Sequence, residues 1–251
     1  MDLNDFFSEH NKIALAFSGG ADSSFLLYSA LRCGADVAPY YIKSQFQPEF
    51  EQADARRLAN ELGVRLREIN IDVLKFCDVA DNPSNRCYFC KRHIMETIRT
   101  AAAADGYDTI IDGTNASDES KDRPGMKALE EKHILSPLRL CGIGKSELRL
   151  LSREAGLFTW NKPAYACLAT RVPTGEKITE EKLRAVEQSE NYLFSLGYTD
   201  FRVRLRDEGA LLQFTAKQQE RAERELDLIK IELKRYFADI RVDPNAREES
   251  L

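Results

Sequence analysis

Along the first half of the chain, short apolar runs alternate with longer amphipathic stretches. Five consecutive apolar residues at 13–17 predict a buried strand, because the run is too short for a helix and contains no polar residue. The apolar spacing over 22–31 then predicts a helix. This order recurs, with further strands expected at 37–42, 64–71 and 108–112 and further helices at 48–62 and about 86–104. The alternation predicts an α/β fold with a doubly wound, mostly parallel sheet.

The pattern changes in the last third of the chain. Residues 160–173 contain two prolines and little periodicity, which is typical of an extended loop. The elements expected beyond it are a helix at 178–196, strands at 201–206 and 210–215, a helix at 216–237 and a strand at 239–242. This order predicts a small α+β domain with its own antiparallel sheet. We therefore expect two domains, at 1–175 and 176–251.

The composition is that of an ordinary globular protein, with 251 residues, 43% hydrophobic and 31% charged. The acidic residues near the N-terminus do not form a signal peptide, and no apolar run approaches the ~20 residues of a membrane span, so a cytoplasmic location is expected. The net charge of −5 argues against nucleic-acid binding as the main task.

A Ser-Gly-Gly sequence at 18–20 joins the first predicted strand to the first predicted helix. A glycine pair lets backbone N–H groups converge on an anion, and the helix N-terminus adds its dipole. The serine hydroxyls can donate to phosphate, and Asp22 can hold a magnesium ion. The stretch is not a Walker loop; it resembles the Ser-Gly-Gly-x-Asp-Ser loop of PP-loop ATP pyrophosphatases, which split ATP into AMP and pyrophosphate. An ordinary turn in a βα unit is the alternative.

A second predicted strand end carries small polar residues, in the sequence Asp-Gly-Thr-Asn at 112–115. Ligands of doubly wound sheets bind beyond the carboxyl ends of the strands, so we expect this loop to meet the nucleotide beside the first one. An ordinary βα loop is again the alternative. The expected ATP ligands are Ser18, Gly19, Gly20, Asp22, Ser23, Ser24, Gly113, Thr114 and Asn115.

Three of the six cysteines have informative surroundings. Cys87 and Cys90 are three residues apart at the start of a predicted helix, which places both sulfurs on one face. This pair is compatible with a redox dithiol, half of a zinc site, two ligands of an iron–sulfur cluster, or simple packing. Cys167 lies between Lys162 and Arg171 in the expected loop, and such cations lower a thiol pKa, so it is a candidate nucleophile or metal ligand.

Four motifs resemble those of the LarE family of PP-loop sulfur transferases, and the resemblance covers nearly the whole chain. They are Ser-Gly-Gly-Ala-Asp-Ser at 18–23, Arg-Cys-Tyr-Phe-Cys-Lys at 86–91, Asp-Gly-Thr-Asn at 112–115 and Ala-Cys-Leu-Ala-Thr-Arg at 166–171. The second and fourth are the most particular to this family. The resemblance implies that ATP, with Mg²⁺, adenylylates a carboxylate of pyridinium-3,5-biscarboxylic acid mononucleotide, and that sulfur then replaces oxygen. The product would serve the nickel-pincer nucleotide of lactate racemase.

The resemblance also implies a sulfur source. In one branch of the family, the cysteine matching Cys167 surrenders its own sulfur. In another branch, three cysteines hold a [4Fe-4S] cluster whose open iron carries a hydrosulfide, and Cys87, Cys90 and Cys167 match that pattern. We expect the cluster, because sacrifice of Cys167 would leave the other two thiols without a task.

Further roles follow from the motif match. Asp22 is expected to organise magnesium and pyrophosphate, and Cys167, Asp22 and Lys91 are the expected catalytic residues. Arg202, Arg204 and Arg206 alternate on a predicted strand, so they share a face that suits an anion; a solvated strand face is the alternative. The residues expected to contact substrate or metal are Lys91, Arg202, Arg204, Glu119 and Glu190. Family likeness also implies a homo-oligomer, a hexamer.

Three other functions remain open on the sequence. A tRNA thiolase also joins a PP-loop to three cysteines, but the acidic net charge and the lack of an RNA-binding appendage argue against it. An amidating ligase would leave the three cysteines unexplained. A regulator that binds ATP without chemistry would leave both the PP-loop and Cys167 idle.

Overall fold

The computed structural model describes residues 1–118, 124–207 and 209–249. The chain forms two compact units, Met1–Asp72 with Asn85–Lys162, and Val73–Ser84 with Pro163–Leu251. The helices are α1 (Leu3–Glu9), α2 (Ala21–Arg32), α3 (Glu49–Glu61), α4 (Cys77–Ala80), α5 (Arg86–Ala104), α6 (Pro124–Glu131), α7 (Pro137–Leu140), α8 (Lys145–Glu154), α9 (Glu180–Ser195), α10 (Ala216–Arg224) and α11 (Leu226–Leu233). The strands are β1 (Lys12–Ala16), β2 (Asp36–Lys43), β3 (Arg67–Asn70), β4 (Thr109–Asp112), β5 (Arg202–Arg206), β6 (Gly209–Gln213) and β7 (Asp239–Val242). Short 3₁₀ helices span Val73–Lys75, Phe158–Asn161 and Leu168–Arg171.

The first unit is built on a parallel sheet with the strand order β3-β2-β1-β4. Ile13 and Leu15 face one buried cluster with residues of α2 and α8, whereas Ala14 faces another with residues of α5. Successive side chains of a strand point to opposite faces, so β1 is apolar at every central position because both faces are covered. The predicted α/β fold with a parallel sheet is confirmed, and a second, smaller sheet is present.

The second unit contains that smaller sheet, in the order β5-β6-β7. β5 and β6 are antiparallel, as expected, but β7 runs parallel to β6, because α10 and α11 carry the chain back before β7 begins. The helix expected at 216–237 is interrupted at Glu225, where α10 ends and α11 begins. The Glu225 carboxylate there accepts hydrogen bonds from Tyr198 at 2.8 Å and Arg221 at 2.9 Å.

A segment from the middle of the chain, 73–84, belongs to this second unit. Its backbone carbonyls accept hydrogen bonds from the N–H groups of Gly175 and Ile178, both at 2.8 Å. The buried Asn82 side chain donates to the carbonyl oxygen of Pro173 at 2.7 Å. In the described part of the chain, no helix is both long enough and apolar enough to cross a membrane.

A comparison of Gly19 with Gly34 tests how tightly the turn after β1 is packed. Gly19 and Gly34 both have left-handed backbones, with φ of +71° and +76°. A Cβ at Gly19 would lie 3.0 Å from the Ala55 Cβ on α3, whereas a Cβ at Gly34 would meet nothing within 4 Å. We expect Gly34→Ala to lower the free energy of unfolding by about 1 kcal/mol and Gly19→Ala by about 2–4 kcal/mol, since only the latter adds overpacking to backbone strain.

Urea unfolding followed by the fluorescence of Trp160, the sole tryptophan, measures both variants in the unit that carries them. Equal losses in the two variants would contradict close packing of α3 on this turn.

Candidate active site

The loop at residues 18–20 leads from β1 into α2 and is held together by one serine. The Ser23 hydroxyl lies 3.2 Å from the Ser18 backbone nitrogen, 3.1 Å from the Ser18 Oγ and 3.3 Å from the Gly20 carbonyl oxygen. Gly20 has an extended backbone and caps the N-terminus of α2. The loop therefore folds back on the first turn of the helix, which is the arrangement that suits an anion at a helix N-terminus.

Ser24, on the first turn of α2, differs from Ser18 and Ser23. It is fully buried, and its Oγ has no hydrogen-bond partner among the described residues. Its hydroxyl thus lies inside the fold, whereas those of Ser18 and Ser23 lie within the loop.

The loop after β4 contacts the start of α2. A Cβ at Gly113 would lie 2.8 Å from the Ser23 backbone nitrogen, so only glycine allows this approach. The buried Asp112 carboxylate accepts hydrogen bonds from the hydroxyls of Thr114 and Ser136, both at 2.7 Å. The structure thus brings the two loops together at the carboxyl ends of neighbouring strands.

Asp22 and Asn115 connect these loops directly, since the Asn115 amide nitrogen lies 3.3 Å from the Asp22 Oδ1. Burial and the charge of Asp118 raise the pKa of Asp22, and the Asn115 hydrogen bond and the charge of Lys145 oppose this rise. A partly desolvated carboxylate beside a second one favours a cation. Among residues 1–118, 124–207 and 209–249, no three His, Cys, Asp or Glu side chains are grouped to hold a metal ion. A single carboxylate such as that of Asp22 could hold Mg²⁺, which commonly takes phosphate oxygens and water as its other ligands.

Three lysines contribute to this part of the first unit. The Lys91 Nζ on α5 lies 3.5 Å from the Asp112 Oδ2. Lys145 begins α8, and its backbone N–H donates to the Ser117 hydroxyl at 2.9 Å. The Lys162 Nζ lies 2.6 Å from the Asp54 Oδ2 and 3.5 Å from the Gly19 carbonyl oxygen. The sequence pointed to Lys162 only as a neighbour of Cys167 and gave no sign of Asp54. No motif signals the contact between Lys162 and Gly19, which are 143 residues apart.

Cys87 and Cys90 lie on the first turns of α5, within the first unit. Cys87 is exposed and Cys90 is half-buried, and both are thiols. The guanidinium of the buried Arg86 lies 3.7 Å from the Cys87 sulfur. Residues three apart on a helix are neighbours, so the pair presents two thiols beside one cation.

Cys167 lies in the second unit, immediately before the 3₁₀ helix Leu168–Arg171. The half-buried Cys167 accepts hydrogen bonds on its carbonyl oxygen from the N–H and the hydroxyl of Thr170, both at 2.9 Å. Arg204 in turn donates to the Thr170 carbonyl at 2.9 Å, and Arg202 donates to the Ala164 carbonyl at 2.7 Å. The two strand arginines therefore contact the backbone of the loop that carries Cys167.

A buried ion pair lies beneath this loop. Arg171 and Glu190 have side-chain exposures of 0% and 1%, with the Arg171 Nε 2.8 Å from one carboxylate oxygen. Glu190 also accepts hydrogen bonds from the Val203 N–H at 2.9 Å and from the Tyr165 hydroxyl. Arg171 donates to the Ala166 carbonyl at 2.9 Å. Burial is the largest influence on Arg171 and lowers its pKa, but the charge and the hydrogen bond of Glu190, together with Tyr165 and Cys167, outweigh it, so the net pKa is raised.

Arg202 and Arg204 of this unit lie near other arginines. Burial, together with the charges of Arg171 and Arg247, lowers the pKa of Arg202 to about 10. Burial and the charges of Arg171 and Arg206 also lower the pKa of Arg204. Cations that lower one another's pKa are stabilised by an anion. Glu119, the remaining residue expected at the site, lies outside the described residues.

No family model matches the chain. The chain is 38% identical over 220 residues to an uncharacterised protein of Synechocystis, covering 86% of this chain and 81% of that protein. It is 32% identical over 204 residues to pyridinium-3,5-bisthiocarboxylic acid mononucleotide synthase of Lactiplantibacillus plantarum, covering 80% of this chain and 74% of that enzyme. It is 26% identical over 187 residues to a tRNA-specific 2-thiouridylase of Pseudothermotoga lettingae, covering 60% of this chain and 54% of that enzyme.

The ion pair beneath the Cys167 loop predicts a large stability effect. Glu190→Gln keeps an oxygen for the Val203 N–H but leaves Arg171 buried without a counter-charge. We expect it to lower the free energy of unfolding by about 3–5 kcal/mol, measured by urea unfolding with circular dichroism. The control is Glu220→Ala, which removes an exposed pair with Arg224 in the same unit and should change the free energy by less than ~1 kcal/mol. A loss as small as the control's would contradict a structural role for the buried pair.

Proposed function

The chain belongs to the LarE family of PP-loop, ATP-dependent sulfur transferases, and on this premise we propose that it converts a carboxylate of pyridinium-3,5-biscarboxylic acid mononucleotide into a thiocarboxylate. The observation that carries the proposal is the 32% identity to the Lactiplantibacillus plantarum synthase over 74% of that enzyme. The product would enter synthesis of the nickel-pincer nucleotide. We propose that the protein acts in the cytoplasm.

The first step is adenylylation of the carboxylate. A carboxylate oxygen of the substrate attacks the α-phosphorus of ATP, the bond to the β-phosphate oxygen breaks, and pyrophosphate leaves. The loop at 18–20, the first turn of α2 and residues 113–115 would receive the nucleotide, supported by the contact of Gly113 with Ser23. Asp22 would hold the magnesium ion, and Lys91 would balance the charge of the substrate.

The second step replaces oxygen by sulfur. A sulfur nucleophile attacks the acyl carbon of the adenylate, and AMP leaves with the carboxylate oxygen, which accounts for every atom. The mixed anhydride makes AMP a good leaving group, so the protein needs to position the sulfur and to exclude water.

The sulfur source we propose involves Cys87, Cys90 and Cys167, which match the three-cysteine pattern of the family. Two of these thiols lie one helical turn apart on α5 beside Arg86, which suits two ligands of a [4Fe-4S] cluster. Cys167 is proposed as the third ligand from its sequence motif alone. A bound cluster would supply an open iron that carries hydrosulfide. In the alternative, Cys167 attacks the acyl-adenylate itself and loses its sulfur by elimination, which leaves dehydroalanine.

The arginines of the second unit support an anionic substrate. Arg202 and Arg204 are partly desolvated, and the charges of other arginines lower the pKa of both despite Glu190 and Asp200 nearby, so a phosphate or carboxylate would relieve this repulsion. Glu190 already accepts hydrogen bonds from three partners, and we therefore assign it to hold the Cys167 loop. Glu119 remains a proposed contact from the family likeness.

A homo-oligomer is the proposed assembly, with a hexamer as the family likeness suggests. Leu228 and Ile231 on α11 expose apolar side chains, which supports a contact with another copy. Light scattering on the purified protein tests this part of the proposal.

A tRNA thiolase is the second candidate, because the chain is also similar to a tRNA-specific 2-thiouridylase. The net charge of −5 and the 54% coverage of that enzyme make it the weaker one. Retention of tRNA in a gel shift at physiological salt would favour it over the small substrate.

The adenylylation step predicts ATP–pyrophosphate exchange that depends on the carboxylate substrate. We expect Asp22→Asn to lower the exchange rate by about 100-fold or more, because the magnesium and leaving-group charge would lose their carboxylate anchor. Ser117→Ala serves as the control, since its hydroxyl accepts a hydrogen bond from the Lys145 N–H at the start of α8, and it should change the rate by less than about 10-fold. Exchange in Asp22→Asn at the rate of the unaltered protein would contradict the assignment of Asp22.

The sulfur step predicts iron and sulfide in protein purified without oxygen. We expect about four irons per chain, lost in Cys87→Ser, Cys90→Ser and Cys167→Ser and kept in Cys77→Ser, whose exposed thiol lies on α4. An iron-free protein that thiolates its substrate once would instead support the sacrificial route, with the chain lighter by one hydrogen sulfide in a mass spectrum. Multiple turnovers in both Cys87→Ser and Cys90→Ser would contradict the cluster.

A further inference from the structure

A lysine outside the recognised motifs reaches the PP-loop. The Lys162 Nζ lies 3.5 Å from the carbonyl oxygen of Gly19 and 2.6 Å from the Asp54 Oδ2. We propose that Lys162 is a further ATP-binding residue, which exchanges Asp54 for the phosphates of the nucleotide bound at residues 18–20. This inference rests on the proposed ATP-dependent function and names a residue of the same site.

The backbone of Lys162 is fixed, so the ammonium group is placed there by the fold. Arg149 donates to the Lys162 carbonyl oxygen at 2.9 Å and to the Trp160 carbonyl oxygen at 3.0 Å. Lys162 has an extended backbone with φ −61° and ψ 126°, which the following Pro163 favours. The flexible four-carbon side chain can then move its charge by a few ångströms while the backbone stays in place.

Asp54 is brought to the same point by close packing of α3. The Cβ that Gly19 lacks would lie 3.0 Å from the Ala55 Cβ, so the helix carrying Asp54 lies directly against the loop. A lone carboxylate at this position would repel the phosphates that the loop is built to receive. Lys162 offsets that charge, and its ammonium group, 3.5 Å from the Gly19 carbonyl oxygen, lies within reach of a ligand at the loop.

The charges favour the exchange once a nucleotide is present. An ion pair with a partly exposed carboxylate contributes little to stability, and Asp54 is 30% exposed. The phosphates of ATP carry several negative charges, and lysine is a common ligand for them as a point charge. Moving the ammonium from Asp54 to phosphate therefore exchanges a weak partner for a stronger one.

The test compares the dissociation constant of MgATP, measured by isothermal titration, for four full-length proteins. These are the unaltered chain, Lys162→Met, Asp54→Asn and the double variant. We expect Lys162→Met to weaken binding by about 10-fold or more and Asp54→Asn to tighten it about 2- to 5-fold. The double variant should stay weaker than the unaltered chain, because it lacks the phosphate contact.

The double variant separates exchange from a passive ion pair. If Lys162 only neutralises Asp54, removing both charges restores the affinity of the unaltered chain, and the inference is overturned. Unchanged affinity in Lys162→Met, or weaker binding in Asp54→Asn, would also overturn it. Arg57→Met with Glu61→Gln, an exposed pair on the same helix α3, is the matched control and should leave the affinity unchanged.

The experiment also distinguishes failure of the proposed function from failure of this inference. An unaltered chain that does not bind MgATP contradicts the proposed function at its first step, whereas binding with no effect at Lys162 contradicts this inference alone. Trp160, two residues from Lys162, reports by its fluorescence whether each variant is folded, and Lys162→Gln replaces the methionine variant if that one unfolds.

Discussion

The site in the first unit depends on the close approach of two backbone segments. The loop after β4 comes so near to the start of α2 that a single methyl group at Gly113 would lie 2.8 Å from the Ser23 nitrogen. This contact is possible because β1 and β4 are neighbours and end at the same edge of the sheet. From it follow the hydrogen bond between Asn115 and Asp22 and the position of Asp112 beneath the second loop. The polar groups of the site are therefore aligned by backbone packing.

The second unit depends on a different constraint, which is a charge taken out of water. Arg171 is fully buried, and a guanidinium in that position is tolerated only if carboxylate and carbonyl oxygens surround it. Glu190 and the Ala166 carbonyl supply them. The loop carrying Cys167 is held as a consequence, since its carbonyls satisfy arginines that have lost their hydration. The cost of burying the charge thus helps to fix the conformation of residues 162–167, which have no regular structure of their own.

The strands and helices of the first sheet could be predicted from the sequence, whereas the contacts described above could not. The apolar run at 13–17 and the recurring strand–helix order predicted the parallel sheet, because periodicity reports which faces are buried. Periodicity does not show which strands, segments or side chains contact one another. It gave no sign that β7 would pair parallel to β6, that residues 73–84 would join the second unit, or that Lys162 would meet Gly19. Glu190 was expected at a substrate contact, but a glutamate within an amphipathic helix has the same sequence signal whether its carboxylate is exposed or paired in the core.

The net charge likewise does not show how the cationic side chains are arranged in the fold. A net charge of −5 hides two local arrangements of cations that differ in kind. Lys91 and Lys162 lie beside Asp112 and Asp54 and keep part of their surface exposed, so their flexible side chains can also meet an anionic ligand. Arg202 is buried and Arg204 is half-buried, and both donate to backbone carbonyls of the loop that carries Cys167. Partly exposed lysines on flexible side chains suit a ligand whose charge leaves during the reaction, as pyrophosphate does. Arginines that are hydrogen-bonded to the backbone suit an anionic group that stays unchanged during the reaction.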